Sequence, residues 1–148
     1  MTWYAHSSVA TIVEKDGLFL MVEEKDGVRT VFNQPAGHLE AGETLFEAAI
    51  RETLEETRWQ VRLTAFIGLY HYPAPNGITY IRHCFAAQPL SQLADAELDE
   101  GIIAAHWFSS ETILAPGFQA RSPLVGKVLR DYLAGTRFPL SIIHHHQS

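Results

Sequence analysis

GHLEAGETLFEAAIRETLEETRW, residues 37–59, carries more chemical information than any other segment of this 148-residue chain. Two glycines open it, and a run of alanines, leucines and glutamates, all good helix formers, follows. Thr44 with Glu47 three residues on makes a capping box, so a helix is predicted from Thr44 to Thr57. Glu52, Glu55 and Glu56 then fall at i, i+3 and i+4 and share an arc of about 100° on one helical face. Three like charges so close repel. Two readings stand. Arg51 and Arg58 relieve the repulsion and the face is simply solvated, or a hard divalent cation takes the carboxylate oxygens.

The remainder of the chain bounds the answer. Its length suits one domain, with a core large enough to stand without staples. Hydrophobic residues make up 47% and charged residues 19%, which argues against global disorder. The formal net charge of -6 argues against nucleic-acid binding through a broad basic surface. It also means that an anionic ligand would need a local positive device. Cys84 is the lone cysteine, so no intrachain disulfide can form, and its apolar surroundings favour a buried small side chain over a reactive thiol. No leader-like segment and no run of 18 apolar residues occurs, so no membrane partner and a cytoplasmic location are expected.

Strands are predicted at 8–13 and 18–22 around the turn Asp16-Gly17, and at 28–32 after the turn Asp26-Gly27. Residues 33–43 read as a loop. Extended stretches follow at 61–72 and 78–87, separated by Pro75-Asn76-Gly77. An acidic loop at 88–101, a strand at 102–108 and a terminal helix at 122–134 complete the order. Ser122 caps that helix, Pro123 fits its first turn and Gly135 fits its end. Strands, helix, strands, helix is the pattern of an α+β or layered α/β/α domain. That domain is expected to span 1–143, with His144, His145 and His146 opening a disordered tail.

The spacing within 37–59 resembles the Nudix box, G-x5-E-x7-R-E-U-x-E-E-x-G-U, with U a bulky aliphatic residue. Gly37, Glu43, Arg51, Glu52, Glu55 and Glu56 all fall on its fixed positions. The resemblance implies a sandwich with a mixed sheet between helices, and hydrolysis of a phosphoanhydride bond with Mg²⁺, for which Mn²⁺ can substitute. It implies that Glu52, Glu55 and Glu56, with the carbonyl of Gly37, hold the metal. Arg51 would orient the glutamates and Glu43 would pair with Arg51. Eight residues is a little over two helical turns, so that pair shares a side, and Glu47 is the alternative partner. The resemblance leaves the base open among Glu52, Glu56 and the acidic loop of Asp95, Glu97, Asp99 and Glu100, with Glu100 or Asp99 favoured. Two positions depart from the box. Thr53 replaces an aliphatic residue, from which little effect is expected. Arg58 replaces a glycine whose left-handed backbone costs other residues roughly 1 kcal/mol, so the helix is expected to end differently.

Asn33–His38, Arg121–Val125 and Phe138-Pro139-Leu140 extend the resemblance toward the bacterial Nudix J phosphatases. That group implies release of orthophosphate from nucleoside tri- and diphosphates, thiamine pyrophosphate or its hydroxymethylpyrimidine precursor. Alternatives are an ADP-sugar, a dinucleoside polyphosphate, an RNA 5′ end, or a non-catalytic nucleotide-binding module. Arg82 and Arg121 are candidate phosphate contacts; the plainer readings are a surface residue and a local ion pair. His38, His71 and His83 are candidates for phosphate contact or proton transfer, against structural roles. Trp3, Tyr4, Phe32, Tyr70, Tyr72 and Tyr80 could stack on a base or pack in the core. The expected partner is a small di- or triphosphate, and the chain a monomer or homodimer.

Overall fold

The computed structural model describes residues 2–94 and 97–146; Asp95 of the acidic loop lies outside that set. Strands β1 (His6–Lys15) and β2 (Leu18–Asp26) form a hairpin about Asp16-Gly17, and β2 continues into β3 (Arg29–Asn33). Residues 33–43 are not all loop: β4 (Ala36–His38) pairs antiparallel with β1, Val9 opposite Gly37. Three residues are too few to show a period of two, so only the pairing reveals this strand. Helix α1 (Leu45–Thr57) follows with the capping box intact. Next come β5 (Trp59–Pro73), β6 (Thr79–Gln92) and β7 (Ile102–Ser109). Strand β6 runs five residues into the segment expected to be loop. Helix α2 (Ser110–Leu114), a single turn missed in the sequence, and α3 (Pro123–Leu133) close the fold, with a 3₁₀ turn at Leu140–Ile142.

The sheet order is β3-β2-β1-β6-β5, with β4 on β1 and β7 on β2. β1 and β6 are parallel and the other pairs antiparallel, so the sheet is mixed. Strand alternation sends side chains to two cores. Val9, Val13, Leu20 and Phe85 face α1 through Ala48 and Ala49, whose small side chains let the helix lie close to the sheet. Ala10, Ile12, Met21 and Cys84 face α2 and α3 through Ile113, Val125, Val128 and Leu129. Helices on both faces of a mixed sheet make the α+β sandwich that was expected. Cys84 is fully buried and its thiol is pushed up to about 12 by desolvation, as an inert core residue would be.

Thr53 does more than pack. Its hydroxyl donates to Ala49 O at 2.8 Å and meets the Thr11 hydroxyl at 2.8 Å, joining α1 to β1 in the dry layer. Arg58 keeps the left-handed backbone of the glycine it replaces, φ 65 and ψ 14, and its N–H donates to Leu54 O. The helix therefore ends where the box predicts, at the expense of a strained residue. At the far end of the chain, the His145 ring lies 4.8 Å from Phe46 of α1.

Candidate active site

A cleft of about 510 Å³ opens where β4, the start of α3 and the β5–β6 hairpin meet the α1 carboxylates. Gly37, His38, Glu52, Glu56, Arg82 and Arg121 all line it. Gly37 is required by a close approach: a Cβ there would coincide with the Glu52 carboxylate. Glu52 and Glu55 place carboxylate oxygens within 4.8 Å of one another and of Asp99. The Asp99 N–H donates to Glu55 O at 3.3 Å, which ties the acidic loop to α1. Glu100, favoured alongside Asp99 in the sequence, is exposed in the next turn and stands outside this trio.

Arg51 organises the cluster. Its Nε and Nη2 form a two-pronged bond to Glu43 at 2.9 and 2.7 Å. Its Nη1 reaches Glu52, and also Glu55 at 3.1 Å, while Nη2 donates to His38 O at 3.1 Å. Glu43 is the partner the spacing allowed; Glu47 is committed to the capping box. Hydrogen bonds from Arg51 hold the Glu43 carboxyl below its ordinary range. The planar fork lets one cation fix two metal-side carboxylates at once.

Glu56 stands apart from the trio. It is 8% exposed and accepts from the Ala36 N–H at 2.9 Å. Desolvation, reinforced by Glu24, Glu52 and Asp99, pushes its carboxyl up to about 9 despite that bond. Glu52 is raised for the same first reason, opposed by Arg51. Crowded, partly dry carboxylates that resist joint ionisation are the donor set a hard dication satisfies, so these residues fit a metal.

Arg121 donates to Glu24 at 2.9 Å, the local ion pair that was the plainer expectation, yet both residues line the cleft. Arg82 is the freer cation, with Nη1 buried and without a hydrogen-bond partner. Ser8 Oγ and Asn33 Oδ1 are likewise buried, unpartnered and on the cleft wall. Glu24, Ser8 and Asn33 were not named as site residues in the sequence; the hints were the pair Glu23-Glu24 after an apolar strand and the place of Asn33 at the head of the 33–38 segment. His83 Nδ1 bonds Ser8 O at 2.9 Å and His71 is exposed, so neither joins the site. Tyr72 and Tyr80 line the cleft, whereas Phe32 and Tyr70 pack against the α3-side core. Trp3 and Tyr4 border a separate groove.

The NUDIX domain profile matches residues 5–127. The chain belongs to the Nudix family. It is 42% identical over 139 residues to Phosphatase NudJ of Escherichia coli K12, covering 93% of this chain and 90% of that one. Phosphatase NudJ of Shigella flexneri matches equally. A NUDIX hydrolase structure from Nitrosomonas europaea superposes with a TM-score of 0.93 at 41% identity, covering 97% of this chain and 98% of that one. An Ap4A hydrolase of C. elegans shares the fold at a TM-score of 0.69 and 22% identity, covering 88% of this chain and 97% of that one. This Nudix protein is therefore a hydrolase, similar over most of its length to the proteins named Phosphatase NudJ. Nudix hydrolases work with divalent metals, and the acidic cluster supplies oxygen ligands for one. Among the described residues, no helix is long and apolar enough to cross a membrane.

Proposed function

We propose that this Nudix hydrolase is a Mg²⁺-dependent phosphatase that releases orthophosphate from nucleoside tri- and diphosphates and from thiamine or hydroxymethylpyrimidine pyrophosphate. The observation that carries the proposal is the pairing, within one cleft, of metal-type carboxylates with the half-buried Arg82, whose Nη1 is buried and has no hydrogen-bond partner. A cation on the acidic wall and a cation opposite it let a phosphate chain sit in a protein of net charge -6.

Glu52, Glu55 and Asp99 would hold the metal, with Glu56 and the Gly37 carbonyl close by. Magnesium, when bound, neutralises phosphate charge and makes a nearby water more acidic. Arg51 keeps Glu52 and Glu55 in place. Arg82 donates to a phosphate oxygen, and Arg121 and His38 border the same space. Water attacks the terminal phosphorus, the anhydride P–O bond breaks, and orthophosphate leaves. Glu56 and Asp99 are the candidates to take the proton from that water; Glu56, lifted to about 9 by burial in the metal-free fold, would have to be returned to its ionised form by a neighbouring dication before it could act as a base. Glu100 is a weaker candidate because it is turned to solvent. The relatives named Phosphatase NudJ support terminal rather than internal cleavage. The working unit is taken as one domain over 1–143, cytoplasmic, as a monomer or homodimer.

The test is a substrate screen in which the phosphorus-containing product is identified by ³¹P NMR, with Glu56→Gln in parallel. Orthophosphate is expected, with Glu56→Gln folded and slower by orders of magnitude. Pyrophosphate or a nucleoside monophosphate as first product would replace the terminal phosphatase with a pyrophosphohydrolase. Absence of any Mg²⁺-dependent turnover would leave a nucleotide-binding module.

A further inference from the structure

Strand register lays out the cleft floor in rows. On β1 and β6, His6 pairs with Tyr80 and Ser8 with Arg82, while β5 places Tyr72 opposite Tyr80. On the other side of β1, β4 places His38 opposite Ser8. Residues two apart on a strand face the same way, about 7 Å along. One row is therefore polar: Arg82 and Ser8, each with a buried polar atom that has no partner, with His38 beside them. The next row is aromatic: Tyr72 and Tyr80 line the cleft, and His6, which borders the neighbouring groove, backs Tyr80. Away from the phosphate end, the cleft is walled by Tyr72, Pro75, Asn76 and Tyr80 of the β5–β6 hairpin.

Tyr80 is set in advance. Its ring stands edge-on to His6 at 5.9 Å and tilted to His38 at 6.4 Å. Asn76 Nδ2 donates to its hydroxyl at 3.2 Å. Asn76 Oδ1 in turn accepts from the Ile78 N–H at 2.9 Å, and Ala74 N–H donates to Ile78 O at 2.9 Å. The hairpin tip is thus a closed turn whose side-chain amide holds the tyrosine, so little ordering is left to complete when a ligand arrives.

Building on the phosphatase reading, we infer that Tyr80, flanked by Tyr72, is the specificity residue of this cleft. It stacks a flat heterocycle while Arg82 and Ser8 take the phosphate attached to that heterocycle. The substrates selected are phosphorylated heterocycles, and phosphorylated sugars without a ring base are disfavoured. The spare donors of Arg82 and Ser8 want an anion, and an aromatic face one strand step away is sequence-tolerant toward purine, pyrimidine or thiazole rings.

The test measures binding by calorimetry with Mg²⁺ present, using AMP and thiamine monophosphate, which have no anhydride to cleave, against ribose 5-phosphate. The wild-type chain should bind the ring-bearing monophosphates at least tenfold more tightly, the order that one base–aromatic stack produces. Tyr80→Leu should erase that difference. Tyr80→Phe, which keeps the ring and loses only the hydroxyl held by Asn76, should retain most of it and so control for folding. Equal affinity for all three probes in the wild type, or an undiminished preference in Tyr80→Leu, overturns the inference. Because no turnover is measured, a failure of the phosphatase reading registers separately, as absence of orthophosphate release from any diphosphate.

Discussion

Replacing Gly37 with alanine separates what this site needs for folding from what it needs for chemistry. The backbone at Gly37 is not in the left-handed region, so alanine meets no conformational barrier there. The obstacle is spatial: the new methyl would occupy the position of the Glu52 carboxylate. A methyl and a carboxylate cannot approach within about 3.5 Å, so Glu52 must swing away by roughly one atomic diameter. Leaving that position breaks its contact with Arg51. Arg51 keeps its two-pronged bond to Glu43 and its bond to Glu55, so the loss stays at the roughly 1 kcal/mol of a single hydrogen bond. Alanine returns about 0.4–1 kcal/mol by restricting the unfolded chain. The two nearly cancel, so the metal-free melting temperature should move by less than about 4 °C. Catalysis has no such compensation. A carboxylate displaced by about 3 Å no longer meets Glu55 and Asp99 around a common ion, and loss of metal-site geometry costs at least 10–100-fold. The assays are scanning calorimetry in EDTA, a Mg²⁺ titration and orthophosphate release. Turnover within threefold of wild type, with normal Mg²⁺ dependence, would refute the placement of Glu52 at the ion.

Three further outcomes are expected. In EDTA, raising the pH from about 5 to about 8 should destabilise the wild type more than Glu56→Gln. The Glu56 carboxyl, lifted to about 9 in the fold, gives stability that is complete below its unfolded value and fades as pH climbs toward 9. The ceiling is about 4 kcal/mol over three pH units, less as the side chain relaxes toward water, and parallel melting curves for the two proteins would contradict it. Thr53→Val should cost about 1–3 kcal/mol: Thr53 gives its one proton to Ala49 O, so Thr11 must donate to Thr53 and is left stranded. The double change Thr11→Val/Thr53→Val should recover most of that loss in urea unfolding, and an additive double variant would count against the shared bond. Arg58→Gly should raise stability by about 0.5–1 kcal/mol by removing the left-handed strain at φ 65, unless calorimetry shows the arginine side chain contributing more than that.

What could be read in advance was whatever the chain states locally. Glu47 three residues after Thr44, and Glu52, Glu55 and Glu56 at i, i+3 and i+4, are distances a helix fixes by itself, so the cap and the carboxylate stripe followed from counting; Glu43 precedes the N-cap, and its pairing with Arg51 rests on the loop before α1 as well. Arg58 shows the limit of the same counting. Local cost argued for a different helix end, but Leu93 N–H donates to Arg58 O and the chain must enter β5 at Trp59, so tertiary pairing holds the strained residue in place. β4 was missed because three residues carry no period; its existence depends on β1, some 28 positions away.

Of the cleft's polar wall, Arg82 was a candidate phosphate contact, but the residues grouped with it escaped for a deeper reason. Ser8, Glu24, Asn33 and Arg82 belong to four different strands, and each looks like an ordinary polar position in its own segment. Only pairing β1 parallel to β6 sets Ser8 beside Arg82, and only the pairing of β3 with β2, Asn33 opposite Val22, brings Asn33 to the same cleft. Ser8, Asn33 and Arg82 gain meaning through polar atoms buried without partners, a property no spacing rule encodes. The division has a physical logic. The metal end must be rigid to well under 1 Å, so it is built on one helix and written as a motif. The end that meets the variable part of the substrate is assembled across the sheet and its hairpin, where one residue can change without disturbing α1. Selectivity for the organic moiety should therefore track the identity of residues 72–82, while metal dependence should track only the box and Asp99. A swap of the 74–78 turn that altered Mg²⁺ affinity but left the ranking of substrates untouched would show that the two ends are not separable in this way.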